Sequence, residues 1–267
     1  MTVVAADRVR HRNSSWVPVA TSLAKRSMVG ILRIPAAVVP LVVMPMFFVI
    51  AFSGSFTGLQ DLPAFPTDNV FNWFVPFAIL QGAAFAGFGT GFSTVRDIES
   101  DFYDRLLLAP GTRLGHYVGP VLASVARATF TTVCVLVLGF ALGATLPGGP
   151  IGLLALWVAA LGVAVIATAW ALGVVFRIPN QRAGPIIQIG IFSVTFLSTG
   201  NVPLDDQIGW TEPIARINPL TRILELARQG FLGDVAWHTT WPGLLAITTS
   251  SILMWTFAVR GLKRLTP

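Results

Sequence analysis

Between Arg127 and Arg177 lie 49 consecutive residues without an Asp, Glu, Lys or Arg. The hydrocarbon layer of a bilayer is about 30 Å thick and takes about 20 apolar residues per helix, so this run is long enough to cross twice. TLPGGP at 145–150 interrupts it with two prolines and two glycines, which end helices and form a tight turn, predicting a helical hairpin. Other uncharged stretches occupy 34–52, 69–95, 183–204 and 239–259. Together they predict six transmembrane helices over about 34–53, 69–95, 117–144, 151–176, 184–204 and 239–259. A mean hydropathy of +0.73 and 54% hydrophobic residues place the whole chain in the membrane class. Pro35, Pro40 and Pro45 in the first stretch and Pro76 in the second do not veto helices, because neighbouring helices can satisfy the backbone groups they free.

The basic residues orient this frame. Residues 1–33 carry six Lys or Arg, 96–113 three, 177–182 two and the C-terminus three, all on one side of a six-span chain. The other side holds Arg216, Arg222 and Arg228 in the segment 205–238. By the positive-inside rule both termini are cytoplasmic and 205–238 is external. A cleaved signal peptide is disfavoured: the N-terminal basic region is long and no small-residue cleavage pattern follows the first apolar run.

Charge is concentrated in RDIESDFYDRLLLAPGTR, residues 96–113, with seven charges. At 100° per residue Asp97, Asp101, Asp104 and Arg105 share one face, while Ile98, Phe102 and Leu106 share another and Pro110 ends the pattern. Anionic headgroups favour basic faces, so four acids against three arginines point to a docking surface more than to a helix lying on lipid. A second amphipathic stretch, 16–33 with Lys25 and Arg26, suits an interfacial helix before the first span. A third follows Asn218, a plausible N-cap with Pro219 at the first helical position. Ile223, Ala227 and Phe231 form its apolar stripe with Arg222, Glu225 and Arg228 off it, predicting a helix on the outer surface or re-entering it.

Within the spans, Gly82, Ala86 and Thr90, and separately Gly87 and Gly91, repeat every four residues, a spacing that lets helices approach closely in lipid. GFGTG lacks the strand and helix context of a nucleotide-binding loop. Arg127 has two open readings: an intramembrane functional charge, or a side chain snorkelling to the interface from a span that starts late. No Asp or Glu lies in a span, which disfavours an ion-coupled carrier. His11, His116 and His238 are scattered and Cys134 is alone, so no catalytic set, metal site or disulfide framework is indicated.

Three segments resemble the ABC exporter membrane subunit, the type-2 permease family, and most nearly its daunorubicin-resistance branch. SLAKRSMVGILRIP at 22–35 resembles the basic entry helix. RDIESDFYDRLLLAPGTR resembles the cytoplasmic loop whose coupling helix meets the ATPase, with Asp101 where the family commonly has Gly. STGNVPLDDQIGWTEPIARINPLTRILELAR at 198–228 resembles the external stretch ending in Asn-Pro-Leu. The resemblance covers nearly the whole chain and implies a single permease domain, 1–267, with a coupling loop over 96–115 and an external segment over 205–238. It implies a subunit that is not itself an enzyme, moving a lipophilic drug or a lipid out of the cytoplasm or inner leaflet of a bacterial plasma membrane. Its partners would be ABC ATPase subunits carrying ATP and Mg, a second permease copy or sister permease, and membrane lipids, with no nucleic acid. Consistently, Lys25 follows Ala24 and Lys263 follows Leu262, so no Gly-Lys of a P-loop is present and the chain itself needs no cofactor. Asp97, Glu99, Asp101, Asp104 and Arg105 are the expected ATPase-coupling residues. Gln81, Gln188, Ser193, Thr195 and Ser198 are candidates for the substrate path. A secondary transporter, a membrane enzyme and a scaffold are the alternatives.

Overall fold

The computed structural model describes Thr21, Ser22, Lys25, Val29 and residues 39–58, 65–100 and 114–265, with the side chains of Pro40, 114–117 and 264–265 outside that description. Its regular structure over these residues is helical: α1 Met44–Ser55, α2 Val70–Glu99, α3 Leu114–Ala141, α4 Gly149–Val175, α5 Ala183–Phe196, α6 Thr211–Ile217, α7 Pro219–Leu232 and α8 Trp237–Leu265. Four of them, α2, α3, α4 and α8, are long and apolar enough to cross a membrane, while α1 and α5 are shorter apolar helices. Of the amphipathic stretch expected over 16–33, the four described residues are helical and exposed.

Helix α2 is the centre. Asn69 starts it by accepting from the Phe71 amide at 3.0 Å, and α1, α3, α4, α5 and α7 all pack on it. Its small residues serve two faces. A Cβ at Gly87 would lie 2.6 Å from the Ala167 carbonyl carbon, and one at Gly91 2.7 Å from the Ala171 Cβ, so this pair of glycines seats α4. Gly82 faces Thr131 of α3, and Thr90 meets Arg127. The four-residue repeat therefore serves helix packing.

Before α1, Val39–Val43 form a π turn. Pro45 at the second position of α1 cannot donate to the carbonyl four residues back. The Thr131 hydroxyl of α3 donates to that carbonyl, Leu41 O, at 3.0 Å, so a neighbouring helix supplies the missing partner. The α3–α4 hairpin turns where TLPGGP predicts. Asn72 of α2 locks it: its Nδ2 donates to Thr145 Oγ1 at 2.9 Å and its Oδ1 accepts from the Thr145 amide at 2.8 Å.

The far end differs from the sequence reading. The uncharged run continues to Leu204, but α5 stops at Phe196 after 14 residues, ahead of the poor helix formers Ser198, Thr199, Gly200, Asn201 and Pro203, and side chains of the downstream segment take up the carbonyls that follow. Helix α7 inserts among α2, α4 and α8, with Ile223, Ala227 and Phe231 buried as the stripe predicts. Arg228, placed off the stripe by the periodicity, is buried as well. Glycines permit the insertion: the Gly148 amide donates to Gly230 O at 2.8 Å, and a Cβ on Gly230 would lie 2.7 Å from the Gly152 backbone.

Candidate functional site

The acidic end of α2 comes first. The helix continues past the predicted end of the second span, so Arg96, Asp97 and Glu99 ride on its last turn, with Ser100 as the C-cap. The Ser100 amide still makes the helical bond to Arg96 O at 3.1 Å. Asp101, Asp104 and Arg105 lie outside the described residues. Glu99 has a partner that the sequence did not single out: Gln181 Nε2 donates to Glu99 Oε2 at 2.6 Å. Gln181 belongs to the 177–182 loop and sits two residues before α5 begins. The tip of α2 and the entry to α5 are therefore tied.

Along α2, Phe77, Gln81 and Phe85 are spaced four apart and share a face. Phe77 meets Phe52 of α1 and Phe196 of α5, each at 6.2 Å between ring centroids, and Phe85 meets Phe192 of α5 at 5.7 Å. Gln81 lies between them, fully buried, and neither its Oε1 nor its Nε2 has a hydrogen-bond partner among the described residues. A buried amide without partners costs on the order of 1–3 kcal/mol per unsatisfied group, so this one is a candidate contact for something outside the chain.

The α5 candidates divide. Thr195 donates to Ile191 O at 2.7 Å and Ser198 to Thr195 O at 2.6 Å, both buried, so each hydroxyl is satisfied by its own backbone. Gln188 and Ser193 instead lie on the exposed face of α5 and make no side-chain hydrogen bond among the described residues. The exposed threonines of α8 behave differently: Thr248, Thr249 and Thr256 each donate to the carbonyl four residues back, at 2.8, 2.8 and 2.7 Å. That closure suits a face turned to lipid. The open side chains of α5 suit a polar neighbour.

Two arginines complete the interior. Arg127 of α3 is 2% exposed and points into α2 rather than out to an interface, with Nη1 3.2 Å from Thr90 Oγ1 and 3.4 Å from Ala86 O. Gly89 leaves the room, since a Cβ there would come within 3.1 Å of that nitrogen. Arg228 of α7 donates from Nε to Trp73 O at 3.1 Å, from Nη1 to Thr199 O at 2.7 Å and from Nη2 to Gly200 O at 2.7 Å, and its guanidinium stacks on the Trp73 ring at 3.4 Å. Thr90 is 17 residues beyond Trp73, about 25 Å along a helix at 1.5 Å per residue. The two cations therefore hold α2 near opposite ends of a helix that is long and apolar enough to cross a membrane. Sequence reasoning missed Arg228, Asn218 as more than a cap, and Gln181. An uncompensated Arg in a helix with apolar residues on most sides was the available signal for the first. Among the described residues no group of three His, Cys, Asp or Glu could hold a metal ion.

The family model described as ABC-2 type transporter matches residues 19–232. The chain is 26% identical over 239 residues to the daunorubicin resistance ABC transporter permease protein DrrB1 of Streptomyces coeruleorubidus, covering 87% of this chain and 81% of that one. It is 23% identical over 189 residues to the probable multidrug ABC transporter permease YbhR of Escherichia coli K12, covering 68% of this chain and 50% of that one. A multi-pass helical chain with that match over most of its length belongs to the ABC-2 type transporter family, as the membrane permease subunit of an ABC exporter.

Proposed function

We propose that this permease exports a lipophilic drug-like molecule or a lipid from the cytoplasm or inner leaflet of a bacterial plasma membrane, driven by a separate ATPase that carries the ATP and Mg. It crosses the membrane six times with α1 and α5 as the short first and fifth crossings, and both termini face the cytoplasm. The ATPase docks on the 96–115 loop through Asp97, Glu99, Asp101, Asp104 and Arg105. The Glu99–Gln181 bond supports this reading, because it gives a force applied at the loop a direct route to the start of α5.

The path runs between α2 and α5 and is completed by a second copy or a sister permease. One observation carries it: Gln81, an amide without a hydrogen-bond partner among the described residues, is held in a phenylalanine face between α2 and α5. Apolar pockets with a few placed polar groups are what a lipophilic cargo with one hydrogen-bonding group requires. Gln188 and Ser193, open on α5, extend this path, while Thr195 within the helix and Ser198 just past its end shape it. Arg127 acts as an interior brace between α2 and α3. The DrrB1 relative's name supports a drug as cargo and the YbhR relative's name a multidrug range.

The test is reconstitution of the permease with its ATPase in inside-out vesicles. ATP-driven uptake of a lipophilic dye that ceases in the Asp97→Lys/Asp101→Lys double variant, with the variant still inserted and no longer retaining the ATPase, is the expected result. Uptake driven by a proton gradient without ATP would establish the secondary-transporter alternative, and unchanged ATPase retention would remove the docking role.

A further inference from the structure

Helix α5 is short for a helix that crosses a bilayer. Its 14 residues rise about 21 Å at 1.5 Å per residue, against about 30 Å of hydrocarbon. The chain that follows lies against the interior of the bundle, where a Cβ on Gly200 would be 2.6 Å from Cδ2 of Phe77, seven residues into α2. The last carbonyls of a helix have no partner within it, and hydrocarbon offers none.

Three side chains from downstream supply them. Asn218 Nδ2 donates to Val194 O at 2.7 Å and Leu197 O at 3.0 Å. Gln207 Nε2 donates to Ser198 O at 3.3 Å. Arg228 takes Thr199 O and Gly200 O, one with each terminal nitrogen. Asn218 and Arg228 are anchored twice. The Asn218 Oδ1 also accepts from the Leu220 amide at 2.9 Å, so one side chain ends α5 and begins α7. Arg228 holds Trp73 of α2 by its third donor and by stacking.

We infer that Asn218 and Arg228 are positioning residues that fasten α5 and its 197–200 tail to α7, so that α5, the tail and the 201–232 segment move as one body during export. The alternative at such a break is a hinge, in which α5 moves and the downstream segment stays. The bonding argues for the fastened form, because moving α5 with its 197–200 tail away from the rest would strip the carbonyls of Val194, Leu197, Ser198, Thr199 and Gly200 of their donors. The link to export rests on the proposed path along α5; the fastening itself does not.

Spin labels at Ile189, exposed on α5, and at Asp234, exposed just beyond α7, read the fastening directly. The chain carries Cys134→Ala and is reconstituted with its ATPase in vesicles, without nucleotide and then trapped with ADP and vanadate. The native Asn218 and Arg228 should give one narrow distance that is the same in both states, a comparison that needs no variant at either position. Asn218→Asp keeps the acceptor for Leu220 but loses both donors to α5, and Arg228→Lys loses the paired donors. Each should split or broaden the distance and lower dye uptake per ATP hydrolysed at least five-fold, whereas a merely structural defect would lower uptake and hydrolysis together. A native distance that shifts between states by more than its width, or an Asn218→Asp distance as narrow as native, overturns the inference. A split distance with unchanged uptake per ATP upholds the fastening and overturns the path along α5.

Discussion

Arg228 and Trp73 meet twice, through a 3.1 Å hydrogen bond from Nε to the Trp73 carbonyl and through a guanidinium 3.4 Å from the Trp73 ring. The pair joins the C-terminal half of the inserted helix α7 to the central helix α2 near the start of α2. Arg228→Ala leaves three buried carbonyls without this donor, and the loss is expected to be on the order of 3 kcal/mol or more, since hydrogen bonds from charged groups are worth about 1.5–3 kcal/mol each. Unfolding in detergent measures it. Arg228→Lys should recover only part, because a single ammonium cannot reproduce the planar fork and its stacking.

Gln81→Leu is expected to separate stability from transport. Removing a buried amide that has no partner among the described residues should raise stability by about 1–3 kcal/mol. The same change should lower ATP-driven dye uptake by removing the hydrogen-bonding group of the path. Thermal unfolding and vesicle uptake measured on one preparation check both directions, and a variant that gains stability without losing uptake would remove Gln81 from the path.

Two glycines test how closely the helices pack. Gly87→Ala forces a methyl against the Ala167 and Thr168 backbone, and overpacking of this kind costs about 1–3 kcal/mol. Gly54→Ala on α1 meets nothing within 4 Å and should stabilise by about 0.5–1 kcal/mol through the unfolded chain and helix propensity. Opposite signs in the same unfolding assay are expected.

Arg127 and Thr90 form a direct test of the interior brace. A double-mutant cycle of Arg127→Met and Thr90→Val should give a coupling energy of about 0.5–3 kcal/mol, the range for residues in contact. A coupling near zero would show that the 3.2 Å contact contributes nothing to holding α3 on α2.

Glu99→Ala and Gln181→Ala should each change stability by less than about 1 kcal/mol, because the bond between them is exposed. Their expected effect is on transport: either variant should lower dye uptake per ATP, and the double variant should be no worse than the single ones. Additive losses would show that the two residues act separately.

The parts of this fold that were legible in the sequence are those whose partners are local. TLPGGP ends two helices by its own backbone chemistry, and Asn218–Pro219 starts α7 through an amide two residues away. The end of α5 was legible only in part: the run stays uncharged to Leu204, but Ser198, Thr199, Gly200, Asn201 and Pro203 are poor helix formers that follow Phe196 closely. What no local pattern marks is that its last carbonyls are taken by an asparagine and an arginine 22 and 32 positions later in the chain. Arg228 was equally hidden, because it is satisfied by carbonyls, which every residue has and no sequence pattern marks. Of the candidate path, the α2 and α5 residues could be named from their chemistry. That Gln81 is buried and Gln188 exposed depended on which face each helix turns inward.

The contact between Gly152 of α4 and Gly230 of α7 is backbone against backbone. Most crowded positions can drift in pairs, one residue growing as its neighbour shrinks. Here neither partner has anything left to give up, so a side chain gained at one site has no compensating change at the other. Only a displacement of the whole α7 segment could absorb it. These two positions are an evolutionary dead end for single substitutions, and variation in the family should reach the rest of α7 well before it reaches them.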